Sequence, residues 1–282
     1  MRNGRINPKW SGGLAWISSI FLLLIAWEAA GSFFSAAIMP SFSETLSALG
    51  WLLRRESFYQ HLQLTAMRGS LGFVLAMSFG GVIGLVMGHS QLVNWLFNPL
   101  IAISTTVPPI FWVAVMIVWF GLGDLPPILV IVVTATPLVA VNVAQGMTNI
   151  PPELEEMAHV FQVNRWTRFW ELYLPALSGY IFAAALVSVR FSWRTVVMAE
   201  FVGSTAGLGN RLAWARQNLE TDLAFAYMLV ILSLGMTIEY LVLRPLQRQW
   251  GWRIGKFKAK GQQSFTPMAT PRVRIMSHGD NL

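Results

Sequence analysis

Apolar residues along this chain run in long blocks, broken by short polar stretches, rather than in the narrow stripes of water-facing helices. A block of about 20 apolar residues can cross the hydrocarbon core of a bilayer as a helix. Six blocks predict six spans: about Leu14 to Ile38, Leu64 to Gly88, Trp95 to Phe120, Ile128 to Met147, Gly179 to Glu200 and Phe225 to Leu243. The first follows Arg2, Arg5 and Lys9, as a signal peptide would. Its apolar stretch exceeds the roughly 7–15 residues of a signal core. It reads as an uncleaved span, with cleavage near Ala29–Gly31 as the alternative.

Composition agrees with that pattern. Of 282 residues, 55% are hydrophobic and 12% charged, and mean hydropathy is +0.53. A water-facing surface needs about twice that charge. Disorder of the whole chain is excluded by the same numbers, and a disulfide-stapled module by the absence of cysteine. The net charge of +7 would suggest nucleic acid in a soluble protein. Here the basic residues sort by topology. With the N-terminus in the cytoplasm, thirteen Lys and Arg fall on the cytoplasmic side: the N-terminus, Arg165, Arg168, and the stretch from Arg244 onward. Four, Arg54, Arg55, Arg211 and Arg216, fall opposite. That bias predicts both termini inside and accounts for most of the charge without nucleic acid. The stretch Arg244 to Lys260 is expected along the lipid surface. The polar residues 261–282 are expected to form a disordered tail beyond a 1–260 membrane domain.

Within the spans, Gly80, Gly84 and Gly88 form a stripe that predicts close approach of another helix. Pro108–Pro109 removes two backbone donors and must break or kink the third span. Such a break survives in a membrane only inside protein or beside a cavity, which predicts an interior position. Pro126–Pro127 precedes the fourth span and Pro137 lies within it.

The segment from Thr148 to Ser178 is too polar to span. Pro151 and Pro152 suit a helix start, and Glu153, Glu155 and Glu156 suit its first turn. Leu154, Ala158, Phe161 and Arg165 share one face. A second short amphipathic helix runs through Trp166, Phe169 and Trp170, and Leu174–Pro175 is expected to stop it. Such an element can lie on lipid or dock into a partner protein.

This segment resembles the Glu-Ala-Ala loop of ABC-transporter permease subunits. Glu156-Met157-Ala158, three residues, Gln162, nine residues and then Leu172-Tyr173-Leu174-Pro175 keep the spacing of that pattern. Met157 stands where the pattern has Ala, and Gln162 where it has Gly. With Gln162 the turn is expected to use right-handed geometry or to shift. Other stretches resemble the nitrate/sulfonate/taurine group of these permeases: Met39-Pro40-Ser41, Thr106-Val107-Pro108-Pro109-Ile110, Trp119-Phe120-Gly121-Leu122-Gly123, Ala199-Glu200-Phe201-Val202-Gly203-Ser204, Gly207-Leu208-Gly209 and Thr221-Asp222-Leu223. The likeness spans roughly Met39 to Leu246. It implies an all-α membrane protein, a six-transmembrane-helix type I importer permease with a cytoplasmic coupling helix. It also implies a bacterial inner-membrane location, a second permease copy, two cytoplasmic ATPase subunits and an extracytoplasmic solute-binding protein. ATP and Mg would be bound by the ATPase and not by this chain. The implied ATPase-coupling residues are Glu156, Ala158 and Gln162, with Leu174 and Pro175 as the hinge into the fifth span. The implied cargo is nitrate, a sulfonate or taurine, with a pyrimidine vitamin precursor as the alternative.

Charges within spans face protein or water, because a charge at the bilayer centre costs at least about 2.5–3.5 kcal/mol. Arg190, Arg194 and Glu200 lie in or at the end of the fifth span, Glu28 in the first and Arg68 near the start of the second. Arg190 and Arg194 are one turn apart and repel unless something negative lies between them. Two readings stand. In one, Arg190, Arg194, Glu200 and Trp193 line a pathway for an anion. In the other, Glu28 or Glu200 neutralises the arginines and Trp193 packs between spans. Asp124 and Asp222 read as turn or cap residues. The four histidines lack metal-ligand spacing. No Gly-x-x-x-x-Gly-Lys-Ser/Thr loop is present. A membrane-embedded enzyme would need more convergent titratable groups, and a stand-alone channel would not need the docking segment.

Overall fold

A computed structural model describes residues 8–35 and 37–247, all helical apart from connections among the described residues. The expected tail at 261–282 and most of the basic stretch beyond Arg244 lie outside these residues. Helix α1 is Pro8–Phe33, α2 Phe42–Leu53 and α3 Glu56–His89. A broken pair follows, α4 Gln91–Thr106 and α5 Pro109–Phe120, and then α6 Leu125–Thr148. The amphipathic segment contains α7 Pro152–Val160 and α8 Arg165–Arg168, and α9 is Leu174–Gly203. Helix α10 is Leu208–Gln217, and α11 is Thr221–Thr237, prolonged to Gln247.

Four helices are long and apolar enough to cross a membrane: α3, α6, the rod from Arg165 to Gly203 that joins α8 to α9, and α11 with its extension. The apolar part of α1 among the described residues is Phe21–Phe33. The third predicted span is broken, as the double proline requires. It is two helices bent by 99°. Val107 (ψ 122°) and Pro108 (ψ 140°) are both extended, because each precedes a proline whose ring excludes helical geometry. Only α5 reaches the interior, through Val113 and Met116; α4 buries no residue within the chain.

Helix α6 is the most buried of the long helices and lies between α3 and α9. The glycine stripe of α3 makes the closest contact. A Cβ at Gly72 would stand 2.8 Å from the Ile131 side chain, and one at Gly84 2.6 Å from the Ala140 carbonyl. Gly80 and Gly88 meet Val139 and Met147 in the same way. Small residues admit this approach, and in lipid the resulting van der Waals contact is a main source of helix association.

Leu174–Pro175 does not stop the second amphipathic helix. The backbone widens into a π turn over Phe169–Tyr173, and the helix continues. A proline ring in a helix strikes the carbonyl four residues back, here Glu171, and the wider turn moves that carbonyl aside. The same arrangement recurs at the end of α11. A π turn over Ile238–Leu243 precedes Arg244–Pro245, and the carbonyl at risk, Leu241, lies inside it.

Candidate functional site

Three groups of polar residues are assembled by this fold, at one end of the bundle, at mid-depth and at the opposite end.

The first is the segment α7–α8. Pro151 and Pro152 begin α7, and Glu153 and Glu155 occupy its first turn. Gln162 adopts φ +52°, a left-handed conformation, so the expectation of right-handed geometry is corrected. Gln162 N–H donates to the His159 carbonyl and Val163 N–H to the Ala158 carbonyl, both at 3.0 Å. This pair of bonds closes the helix end and holds a non-glycine residue where glycine would be easier. Tyr173 Oη donates to Glu155 Oε1 (3.2 Å), tying α7 to the start of the long rod. Glu156 remains exposed. Leu154, Met157, Val160 and Phe161 also leave apolar surface outward, while Ala158 is half-buried. Leu174 and Pro175 follow the π turn directly.

The second group lies near the middle of α9. Arg190 Nε and Nη2 donate to Glu239 Oε2 and Oε1 at 2.6 and 2.9 Å, a two-pronged ion pair. The expected neutralisers are therefore corrected: the partner is Glu239, not Glu28 or Glu200. A lone acid in the otherwise apolar sixth span was the available signal. Arg194 is exposed and makes no ion pair among the described residues. Both arginines, Glu239, Trp193 and Tyr240 line a cavity of about 510 Å³. Trp193 both packs and lines. It joins two core clusters, and its indole fits against α11 because Gly235 has no side chain there.

The third group closes the opposite end. Glu200, placed above among the pathway residues, is fully enclosed. Its Oε1 accepts from Arg68 Nη1 (2.7 Å), and its Oε2 from Thr65 Oγ1 (2.8 Å) and Gly209 N–H (3.1 Å). Arg68, also fully buried, donates through Nη1 to the Ala206 carbonyl (2.7 Å) and through Nε to Asp124 Oδ1 (3.1 Å). Asp124 thus receives a buried cation and makes no cap hydrogen bond to its own helix. Gly207 (φ +109°) and Gly209 let the loop lie against Glu200; a Cβ at either would strike that residue. A buried pair whose carboxylate accepts three hydrogen bonds holds a loop in one place. Glu28 performs a smaller task of the same kind: it accepts from Phe42 N–H (2.8 Å) at the start of α2, where the helix dipole favours an anion.

Residues 76–248 match the family described as the binding-protein-dependent transport system inner membrane component. The chain belongs to that family. Its permease fold is shared by solved ABC transporters. An inward-facing MetNI methionine ABC transporter aligns with TM-score 0.55 at 19% identity, covering 70% of this chain and 96% of that one. A bacterial alginate ABC transporter, in complex with a periplasmic protein, aligns with TM-score 0.58 at 14% identity, covering 86% and 96%. Among relatives, the taurine transport permease TauC of Escherichia coli is 28% identical over 83% of this chain and 87% of its own. The nitrate import permease NrtB of Leptolyngbya laminosa is 27% identical over 80% and 85%. The chain is accordingly a multi-pass inner-membrane permease subunit of an ABC importer, and ATP hydrolysis belongs to a separate subunit. The readings as a channel or a membrane enzyme are not favoured.

Proposed function

We propose that two copies of this permease form the membrane pathway of an importer for a small anion of the sulfonate or nitrate class. The carrying observation is the charge balance of the mid-depth cavity. Arg190 is matched by Glu239, and Arg194 is left over. The exposed guanidinium of Arg194 lines that cavity and offers a sulfonate or nitrate an oppositely charged partner. The names of the relatives, taurine and nitrate permeases, point to the same cargo. A neutral pyrimidine lacks the charge that Arg194 would attract. In this reading the chain crosses six times, with the α4–α5 pair as a broken crossing and both termini in the cytoplasm. The segment α7–α8 then faces the cytoplasm and docks into an ATPase subunit. Its exposed Glu156 and apolar face make the contact, Ala158 and Gln162 set its shape, and the π turn before Leu174–Pro175 transmits its movement into α9.

The test is solute-stimulated ATP hydrolysis by the reconstituted transporter with its ATPase and binding protein. Arg194→Gln abolishes stimulation by sulfonate and nitrate while the complex still assembles. Glu156→Ala weakens stimulation by any cargo. Full anion stimulation in Arg194→Gln would overturn the anion reading and leave the permease assignment intact.

A further inference from the structure

A second cavity, of about 540 Å³, opens where α3 and α6 end against the start of the long rod. We propose that it binds the headgroup of an anionic phospholipid. Its lining includes His89, Arg165, Arg168 and Tyr173, and no carboxylate lines the space. Neither arginine makes an ion pair among the described residues. The Nε of Arg168 is buried and has no hydrogen-bond partner among them. A buried N–H of that kind calls for an acceptor, and a guanidinium fits two phosphate oxygens at once.

The apolar part of the lining includes Leu85 and Val86 on α3 and Phe169 on the rod. It continues along α3 onto the exposed surface at Val86 and Val82, which gives acyl chains a path upward while the phosphate sits below. Depth agrees. The cavity lies where two membrane-spanning helices stop, at His89 and Thr148. Beside it Trp166 stacks on Phe169 and Trp170 meets both edge-on, with both tryptophans largely exposed. Tryptophans gather at the headgroup level of a bilayer, and basic pockets between helices at that level suit anionic headgroups. A lipid held there bridges α3 and α6 to the rod that begins beside α7. The packing between the transmembrane core and the segment read above as the coupling element then depends on the lipid.

The test uses the intact transporter, permease with ATPase subunits, exchanged from mild detergent into phosphatidylcholine nanodiscs containing graded phosphatidylglycerol. Bound phosphatidylglycerol is quantified by native mass spectrometry. Wild type retains phosphatidylglycerol over phosphatidylcholine. Retention falls about fivefold for each arginine removed in Arg165→Gln and Arg165→Gln/Arg168→Gln. Arg216→Gln, on the far side of the bundle, retains it like wild type. Arg165 is exposed, so its single variant separates lost binding from misfolding. Equal retention of phosphatidylcholine, or unchanged retention in Arg165→Gln, overturns the proposal. Displacement of the lipid by millimolar inorganic phosphate assigns the site to free phosphate and overturns the lipid reading. A wild-type complex that retains no anionic lipid overturns it as well.

Discussion

Replacing Gly84 by alanine adds a methyl group where helices α3 and α6 touch. That methyl would lie 2.6 Å from the Ala140 carbonyl oxygen, 2.7 Å from Val143 Cβ and 3.1 Å from Ala140 Cα. Two of these three atoms are backbone and cannot rotate away. Reaching an ordinary 3.4 Å contact requires the helices to part by about 0.8 Å. A gap of that size forfeits roughly a quarter to a half of each facing dispersion contact. In lipid no stronger apolar driving force replaces it. The expected loss is about 1–3 kcal/mol, as for other overpacked cores. Gly81 lies on the same helix, and a Cβ there meets nothing within 4 Å. Gly81→Ala should leave stability unchanged or raise it by about 0.5–1 kcal/mol, the usual helical advantage of alanine over glycine. The assay is reversible unfolding of the purified permease in mixed micelles with increasing dodecyl sulfate, followed by circular dichroism. Coincident midpoints for the two variants would refute the claim that backbone proximity, and not glycine content, fixes this interface.

Two further outcomes are expected. Arg68→Met strands a fully buried Glu200 carboxylate and costs about 3–5 kcal/mol; adding Glu200→Met recovers much of it, measured by the same unfolding curve, and strictly additive losses would refute the pairing. Gln162→Gly removes a left-handed strain of about 1–2 kcal/mol but adds freedom to the unfolded chain, so the net gain is below about 1 kcal/mol; slower proteolysis at the α7–α8 turn reports it, and faster cleavage would count against the left-handed assignment.

The hydropathy blocks determined where the long helices run, because burying backbone in lipid depends on the local run of side chains and on little else. Four of the six blocks appear, among the described residues, as single helices long and apolar enough to cross a membrane, and the glycine stripe marked the interface it forms. The double proline announced a break, since a proline acts on its own neighbours. Local chemistry also marked the start of α7. Its limits show at Leu174–Pro175, where a π turn let the helix pass through a sequence that reads as a stop, and at Gln162, where closing hydrogen bonds hold an unfavourable φ. The charged residues were visible in the sequence, but their partners were not. Arg68 meets Glu200 across 132 positions, and Arg190 meets Glu239 across 49. A pairing of that kind is decided by which helix faces lie together, and that is a property of the packed bundle. It is also what encloses Glu200 and leaves Arg194 without an ion pair among the described residues. The spans and the family motifs were thus set by the chain, and the roles of its buried charges by its tertiary structure.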